Sequence, residues 1–206
     1  MSSQQLSLFD DQTDPQSNNF PIVGLQYIPD FINREQHDEL LRQIDAQPWL
    51  TDLKRRVQHY GYRYNYKSRS VDQSMRIGPL PHWADELGGM LCKQGLMNEK
   101  PDQVIVNEYL PGQGIANHID CVPCFADTII SLSLGSACVM ELTNKQTGQM
   151  VPLLLEPRSL VVLKDEARFV WMHGIPARKT DKVAERVINR RRRVSLTFRN
   201  MIFQFR

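Results

Sequence analysis

The chain has 206 residues, 41% hydrophobic and 23% charged, with a formal net charge of +2, which suits one well-packed domain and only marginally two. No apolar run reaches membrane-spanning length, and the first residues, MSSQQLSLFDDQTDPQSNN, have neither a basic n-region nor an apolar core, so no membrane span and no signal peptide are expected, and the location expected is cytoplasmic. In a reducing compartment the four cysteines, Cys92, Cys121, Cys124 and Cys138, are expected as thiols, and the chain as a monomer.

Residues 1–19 are polar, acidic and broken by proline, so they bury too little apolar surface to fold alone and are expected to be a disordered tail. Residues 20–206 form the domain. Asn33, with Gln36 three residues on, caps a helix whose Leu40, Leu41 and Ile44 recur at helical spacing until Pro48. A basic cluster follows, Lys54, Arg55, Arg56, Arg63, Lys67 and Arg69, threaded with Tyr60, Tyr62, Tyr64 and Tyr66. Trp83, Leu87, Met90 and Leu91 mark a second helix. After Pro101 the pattern becomes short β-rich runs, from QVIVNEYL through TIISLSLGS, CVMELTN, MVPLLLE, SLVVLK and RFVWMHGI to RRVSLTFRNMIF. Residues 176–192 are too charged for a core and read as a solvated connection, although Arg190 to Arg193 form a basic run. The fold class expected is α+β, mainly β: a sandwich or jelly roll with N-terminal supporting helices packed on one outer face.

The stretch GIANHIDC places His118 two residues before Asp120. On a strand such residues face the same way about 7 Å apart, so an imidazole and a carboxylate can turn toward one metal ion. Two histidines and a carboxylate form the facial triad of non-haem Fe(II) oxygenases. The third ligand is sought among His37, His59, His82 and His173; the first and third lie on predicted helices, His59 lies among the tyrosines, and His173 ends an apolar strand. In the last strand Val194, Leu196 and Phe198 share one face and Arg193, Ser195, Thr197 and Arg199 the other. Paired guanidinium groups with small hydroxyl residues between them suit a dicarboxylate. Asn107 and Tyr109 share a strand face and offer further hydrogen bonds to an anion.

Taken together, NEYLPGQGIANHID, MHGI and RVSLTFR resemble the AlkB branch of iron and 2-oxoglutarate dioxygenases across roughly residues 100–200. The resemblance implies a double-stranded β-helix, with Fe(II), 2-oxoglutarate and O2 as cofactors. It implies His118, Asp120 and His173 as the iron ligands and catalytic centre, and Asn107, Tyr109 and Arg193, with Ser195, Thr197 and Arg199 beside them, for 2-oxoglutarate. Six residues of strand put about 20 Å between Arg193 and Arg199, so either both side chains fold inward or Arg199 acts through another group. The reaction implied is oxidation of a substrate C–H bond while 2-oxoglutarate is decarboxylated to succinate. The nearest homologue type is the one that eukaryotes fuse to an RNA-recognition module and a tRNA wobble-uridine methyltransferase.

On one strand face, Tyr60, Tyr62, Tyr64 and Tyr66 would stack a splayed base, with Arg63 beside the phosphates. GYRY resembles the nucleotide-recognition segment of AlkB-type enzymes, which implies Tyr60, Tyr62, Tyr64 and Arg63 as substrate-binding residues and single-stranded DNA, RNA or tRNA as partner. DNA-repair members often carry an acid two residues after the metal aspartate; here it is Val122. The function expected is oxidative demethylation of alkylated bases. The alternatives are oxidation of modified tRNA bases, or a non-catalytic jelly-roll module that only binds nucleic acid. Cys121 and Cys124 read as loop thiols at the mouth of the site. QLSLF, Gln5 to Phe9, resembles the peptide by which bacterial proteins dock on the DNA sliding clamp.

Overall fold

The computed structural model describes residues 21–51 and 53–203. The tail expected at residues 1–19, with its clamp-like peptide, lies outside the described residues. The elements run β1 (Leu25–Ile28), α1 (Arg34–Asp45), β2 (Val57–Tyr60), α2 (His82–Lys93), β3 (Gln103–Tyr109), β4 (Ile115–His118), β5 (Ile129–Gly135), β6 (Cys138–Asn144), β7 (Met150–Leu155) and β8 (Leu160–Leu163). Then follow α3 (Asp165–Phe169), β9 (Trp171–Ile175), β10 (Thr180–Val183), β11 (Arg186–Asn189) and β12 (Arg193–Arg199). A six-stranded sheet in the order β1-β8-β5-β12-β3-β2 faces a four-stranded sheet in the order β4-β9-β6-β7. This is the expected mainly-β jelly roll.

Helix α1 begins where the side chains dictate: Asn33 accepts from the Gln36 N–H at 2.9 Å and Gln36 accepts from the Asn33 N–H at 2.8 Å, satisfying two N–H groups the first turn leaves over. Its Leu40 and Ile44 are buried, and with Trp83, Leu87 and Leu91 of α2 they pack on Val104 and Val106, Ile130 and Leu132, and Val194, Leu196 and Phe198. Both helices therefore cover the outer face of the large sheet. The inner face packs against the small sheet, with Tyr109, Ile129, Val161 and Leu163 meeting Met140, Leu142, Leu155 and Ile175.

Three local readings change. Residues 176–192 hold the antiparallel hairpin β10–β11, in which Thr180 pairs with Asn189. Within it Asp181 is buried and takes Arg190 and Arg178, so charge that looked solvated is paired. The run RFVWMHGI is a strand only from Trp171, because Arg168 and Phe169 close the short helix α3. The tyrosine segment also departs from a strand. β2 stops at Tyr60 because Gly61 turns at φ +77°, where a Cβ would lie 1.9 Å from the Asp102 carbonyl oxygen. Beyond it the chain folds into a flap, tied at its base by Tyr62–Arg76 pairing and near its tip by Asn65–Ser70 pairing.

Candidate metal and cosubstrate centre

Strands β4 and β9 pair antiparallel with His118 directly opposite His173, after a register shift between Ile115 and His118. The two rings sit 4.4 Å apart between centroids. Close approach of the strands is permitted by Gly174, where a Cβ would lie 2.2 Å from the Asn117 side-chain oxygen. Asp120 falls just past the end of β4, in the loop that follows rather than on the strand, and its Oδ2 lies 3.4 Å from His173 Nε2. One ligand atom from each of His118, Asp120 and His173 lies within 4.8 Å of the others, a set that can hold one ion.

The electrostatics suit that use. His118 Nδ1 lies 2.8 Å from the Ala116 carbonyl oxygen, which can only accept, so Nδ1 carries the proton and Nε2 keeps its lone pair for a metal. His173 has its pKa pushed down to about 4 by burial and by His118, only partly offset by Asp120, so it is neutral near pH 7. Burial alone would raise the Asp120 pKa, but Arg199, His173, His118 and Arg168 hold it well below the usual carboxylate range. Its Oδ1 accepts from Arg199 at 2.5 Å. Its Oδ2 is buried with no hydrogen-bond partner among the described residues, a condition a bound cation relieves.

Strand β12 runs beside β3, setting Arg193 opposite Tyr109 and Ser195 opposite Asn107. The inward residues Arg193, Ser195, Thr197 and Arg199 line a cavity of about 520 Å³ together with Asn107, Tyr109 and the three candidate ligands. Arg193 is 3% exposed. It donates from Nη2 to Ser133 Oγ at 3.0 Å, and its guanidinium lies 5.5 Å from the Tyr109 ring centroid. Its Nε and Nη1 are buried without partners among the described residues. A buried guanidinium with two spare donors beside a phenol fits the carboxylate end of 2-oxoglutarate. Arg199 also lines the cavity, and it donates to Asp120 and, at 3.3 Å, to Gln103, so it braces the candidate ligand carboxylate.

The substrate tyrosines separate. Tyr60 turns to the helix side and meets Trp83 edge-on at 5.4 Å, and Tyr62 packs near Phe203 at 5.4 Å; neither lines the cavity. The turn at Gly61 breaks the alternation that would have aligned them. Arg63 is exposed, and its N–H bonds the Met75 carbonyl. Tyr64 and Tyr66 do line the cavity, with Arg55 and Arg69. Tyr64 packs on Phe125 at 5.8 Å.

The cysteines are a further correction: Cys121 and Cys124 form a disulfide with Cα atoms 5.2 Å apart. The turn after Asp120 brings them within ordinary disulfide reach, and the sulfurs lie 3.3 and 3.6 Å from the Arg69 carbonyl oxygen. No sequence signal marked Arg168, which is 2% exposed. It donates to the carbonyl oxygens of Asp120 at 3.0 Å, Ala126 at 3.3 Å, Phe125 at 3.3 Å and Cys121 at 3.5 Å, so one guanidinium organises the loop that carries Asp120. An arginine in a short charged helix looks solvated until its carbonyl partners are known.

Among the described residues, no helix is long and apolar enough to cross a membrane. The pattern of the 2OG-Fe(II) oxygenase superfamily matches residues 24–199. A protein of Arabidopsis thaliana named alkylated DNA repair protein ALKBH8 homolog is 38% identical over 203 residues, covering 87% of this chain and 59% of that protein. The Xenopus tropicalis tRNA (carboxymethyluridine(34)-5-O)-methyltransferase alkbh8 is 38% identical over 165 residues, 78% of this chain but 26% of that protein. The chain thus spans little more than half of the first relative and about a quarter of the second. The solved structure of OsALKBH1 superposes with a TM-score of 0.70 at 16% identity, covering 89% of this chain and 99% of that one, a likeness of fold. With the His-Asp-His cluster at its centre, this chain belongs to the 2OG-Fe(II) oxygenase superfamily as an AlkB-like member near the ALKBH8 type, an oxidoreductase that uses Fe(II), 2-oxoglutarate and O2.

Proposed function

We propose that this chain oxidises a carbon attached to a base of single-stranded nucleic acid, with His118, Asp120 and His173 holding Fe(II) and Arg193, Tyr109 and Asn107 holding 2-oxoglutarate. The metal and cosubstrate supply C–H hydroxylation when bound. The protein supplies position: Arg193 anchors one end of the dicarboxylate, while Arg199 and Arg168 keep Asp120 ionised and aimed. Tyr64 and Tyr66 on the flap would hold an extruded base by stacking. If the oxidised carbon is an N-methyl group, the hydroxymethyl product loses formaldehyde and the base is demethylated. If it is a side-chain carbon, the alcohol stays.

The charge of the cavity carries the choice between substrates. Among the described residues its one lining carboxylate is Asp120, already committed to Arg199 and the metal position, while Lys54, Arg55, Arg69, Arg193 and Arg199 all line it. A cationic alkylated base finds no counter-charge there, and Val122, where an acid would help, is exposed and apolar. A neutral modified base needs none. This supports modified RNA, tRNA included, ahead of repair of cationic bases. The test treats tRNA, methylated single-stranded DNA and methylated RNA with the chain, Fe(II), ascorbate and 2-oxoglutarate, then reads digested nucleosides by mass spectrometry. A methyl lost or an oxygen gained on an RNA base is expected. Succinate release that no nucleic acid stimulates rejects the base reading, and no succinate with retained binding favours the non-catalytic module.

A further inference from the structure

Arg55 lies in the connection before β2, outside every motif the resemblance supplies. Its Nε donates to Asn107 Oδ1 at 2.9 Å. Its guanidinium sits 5.9 Å from the ring centroids of both Tyr109 and Tyr66. Tyr109 on β3 therefore has two cations near its ring, Arg193 from β12 on one side and Arg55 from the segment leading into β2 on the other, and both line the same cavity. Tyr66 belongs to the flap, and its hydroxyl is buried with no partner among the described residues. By taking the Asn107 oxygen, Arg55 also turns the amide N–H2 of Asn107 away from itself and leaves it free to donate to an anion. Two guanidinium groups, an amide donor and an unpaired phenol converge where one dicarboxylate would sit.

We infer that Arg55 is a further 2-oxoglutarate-binding residue and that, through Tyr66, it couples cosubstrate binding to closure of the flap. This rests on the cosubstrate reading above. Arginine suits the position because a planar cation can lie near two aromatic rings while its Nε makes a directed hydrogen bond; lysine keeps the charge and loses both fixed directions. A flap tied to the cosubstrate would close over a base only when the pocket beneath is filled.

The test uses the full chain loaded with Mn(II), a redox-inert stand-in for iron, and titrates 2-oxoglutarate by calorimetry with no nucleic acid present. Arg55→Ala is expected to weaken 2-oxoglutarate binding about tenfold or more, with Mn(II) binding and the melting temperature of the Mn(II) form close to those of the parent. Arg55→Lys recovers part of the affinity. In parallel, trypsin cleavage after Arg63, Lys67 and Arg69 is followed by mass spectrometry. Saturating 2-oxoglutarate slows cleavage in the parent and fails to do so in either variant. Should Arg55→Ala not fold, Arg55→Lys decides alone, since parent-like affinity and protection in it overturn the inference. Unchanged affinity in Arg55→Ala, or flap protection equal to the parent's, overturns it while leaving the cosubstrate reading standing. A parent that binds no 2-oxoglutarate with Mn(II) overturns both.

Discussion

The two faces of β12 are buried almost equally and do opposite work. Outward, Val194, Leu196 and Phe198 sit in a wholly apolar cluster under α1 and α2. Inward, Arg193, Ser195 and Arg199 are also buried, yet Arg193 and Arg199 hold guanidinium N–H groups with no partner among the described residues. Burying an uncompensated cation costs several kcal/mol, whereas burying each apolar side chain returns about 1.5–3 kcal/mol. The outer face thus stabilises a strand whose inner face is kept ready for an anion. Strain of this kind at one face is tolerated because the helices pack against the other.

This contrast is open to attack from both sides. The largest effect expected is functional: His118→Ala reduces succinate formation to background, while the melting temperature of the metal-free chain moves by only a few degrees, since the half-exposed imidazole contributes little packing. Parent-like turnover would remove the triad. Next, Leu196→Ala on the outer face should cost about 2–5 kcal/mol in urea unfolding and leave the 2-oxoglutarate KM of the folded protein unchanged. A shift in that KM would show that the faces are not separable. Arg193→Ala should do the reverse, raising that KM by the equivalent of about 1.5–3 kcal/mol with an unfolding free energy equal to or above the parent's, because a buried unpaired cation is gone. Asn33→Ala, at the far edge of the outer layer, should cost about 1 kcal/mol through the lost cap and leave succinate formation as it was. A drop in turnover there would mean that α1 reaches the site.

Local rules made a good part of this molecule legible. The capping box at Asn33 and Gln36 and the two-residue alternation of β12 are statements about neighbouring residues, and backbone geometry converts them directly into a helix start and two strand faces; the His-x-Asp spacing named residues that do come together, although Asp120 lies past the end of β4 and not on the strand face it was read on. The same rules failed where one residue changed the geometry: glycine at 61 ended the alternation that would have placed Tyr60 and Tyr62 with Tyr64.

Partnership between distant residues was decided only by the tertiary structure. His118 meets His173 because β4 pairs with β9 in one register. The run Arg190 to Arg193 looks like one basic patch, yet Arg190 goes to Asp181, Arg192 to Glu108 and Asp45, and Arg193 into the cavity. Arg168 opens the run RFVWMHGI and Arg55 sits in the basic cluster, and neither position in the sequence tells that the Asp120 carbonyl oxygen and the Asn107 side chain come within hydrogen-bond reach. Residue type and spacing determine which way a side chain can face. What it faces depends on strand register and sheet closure, which are set by the summed pairing and packing of the whole chain.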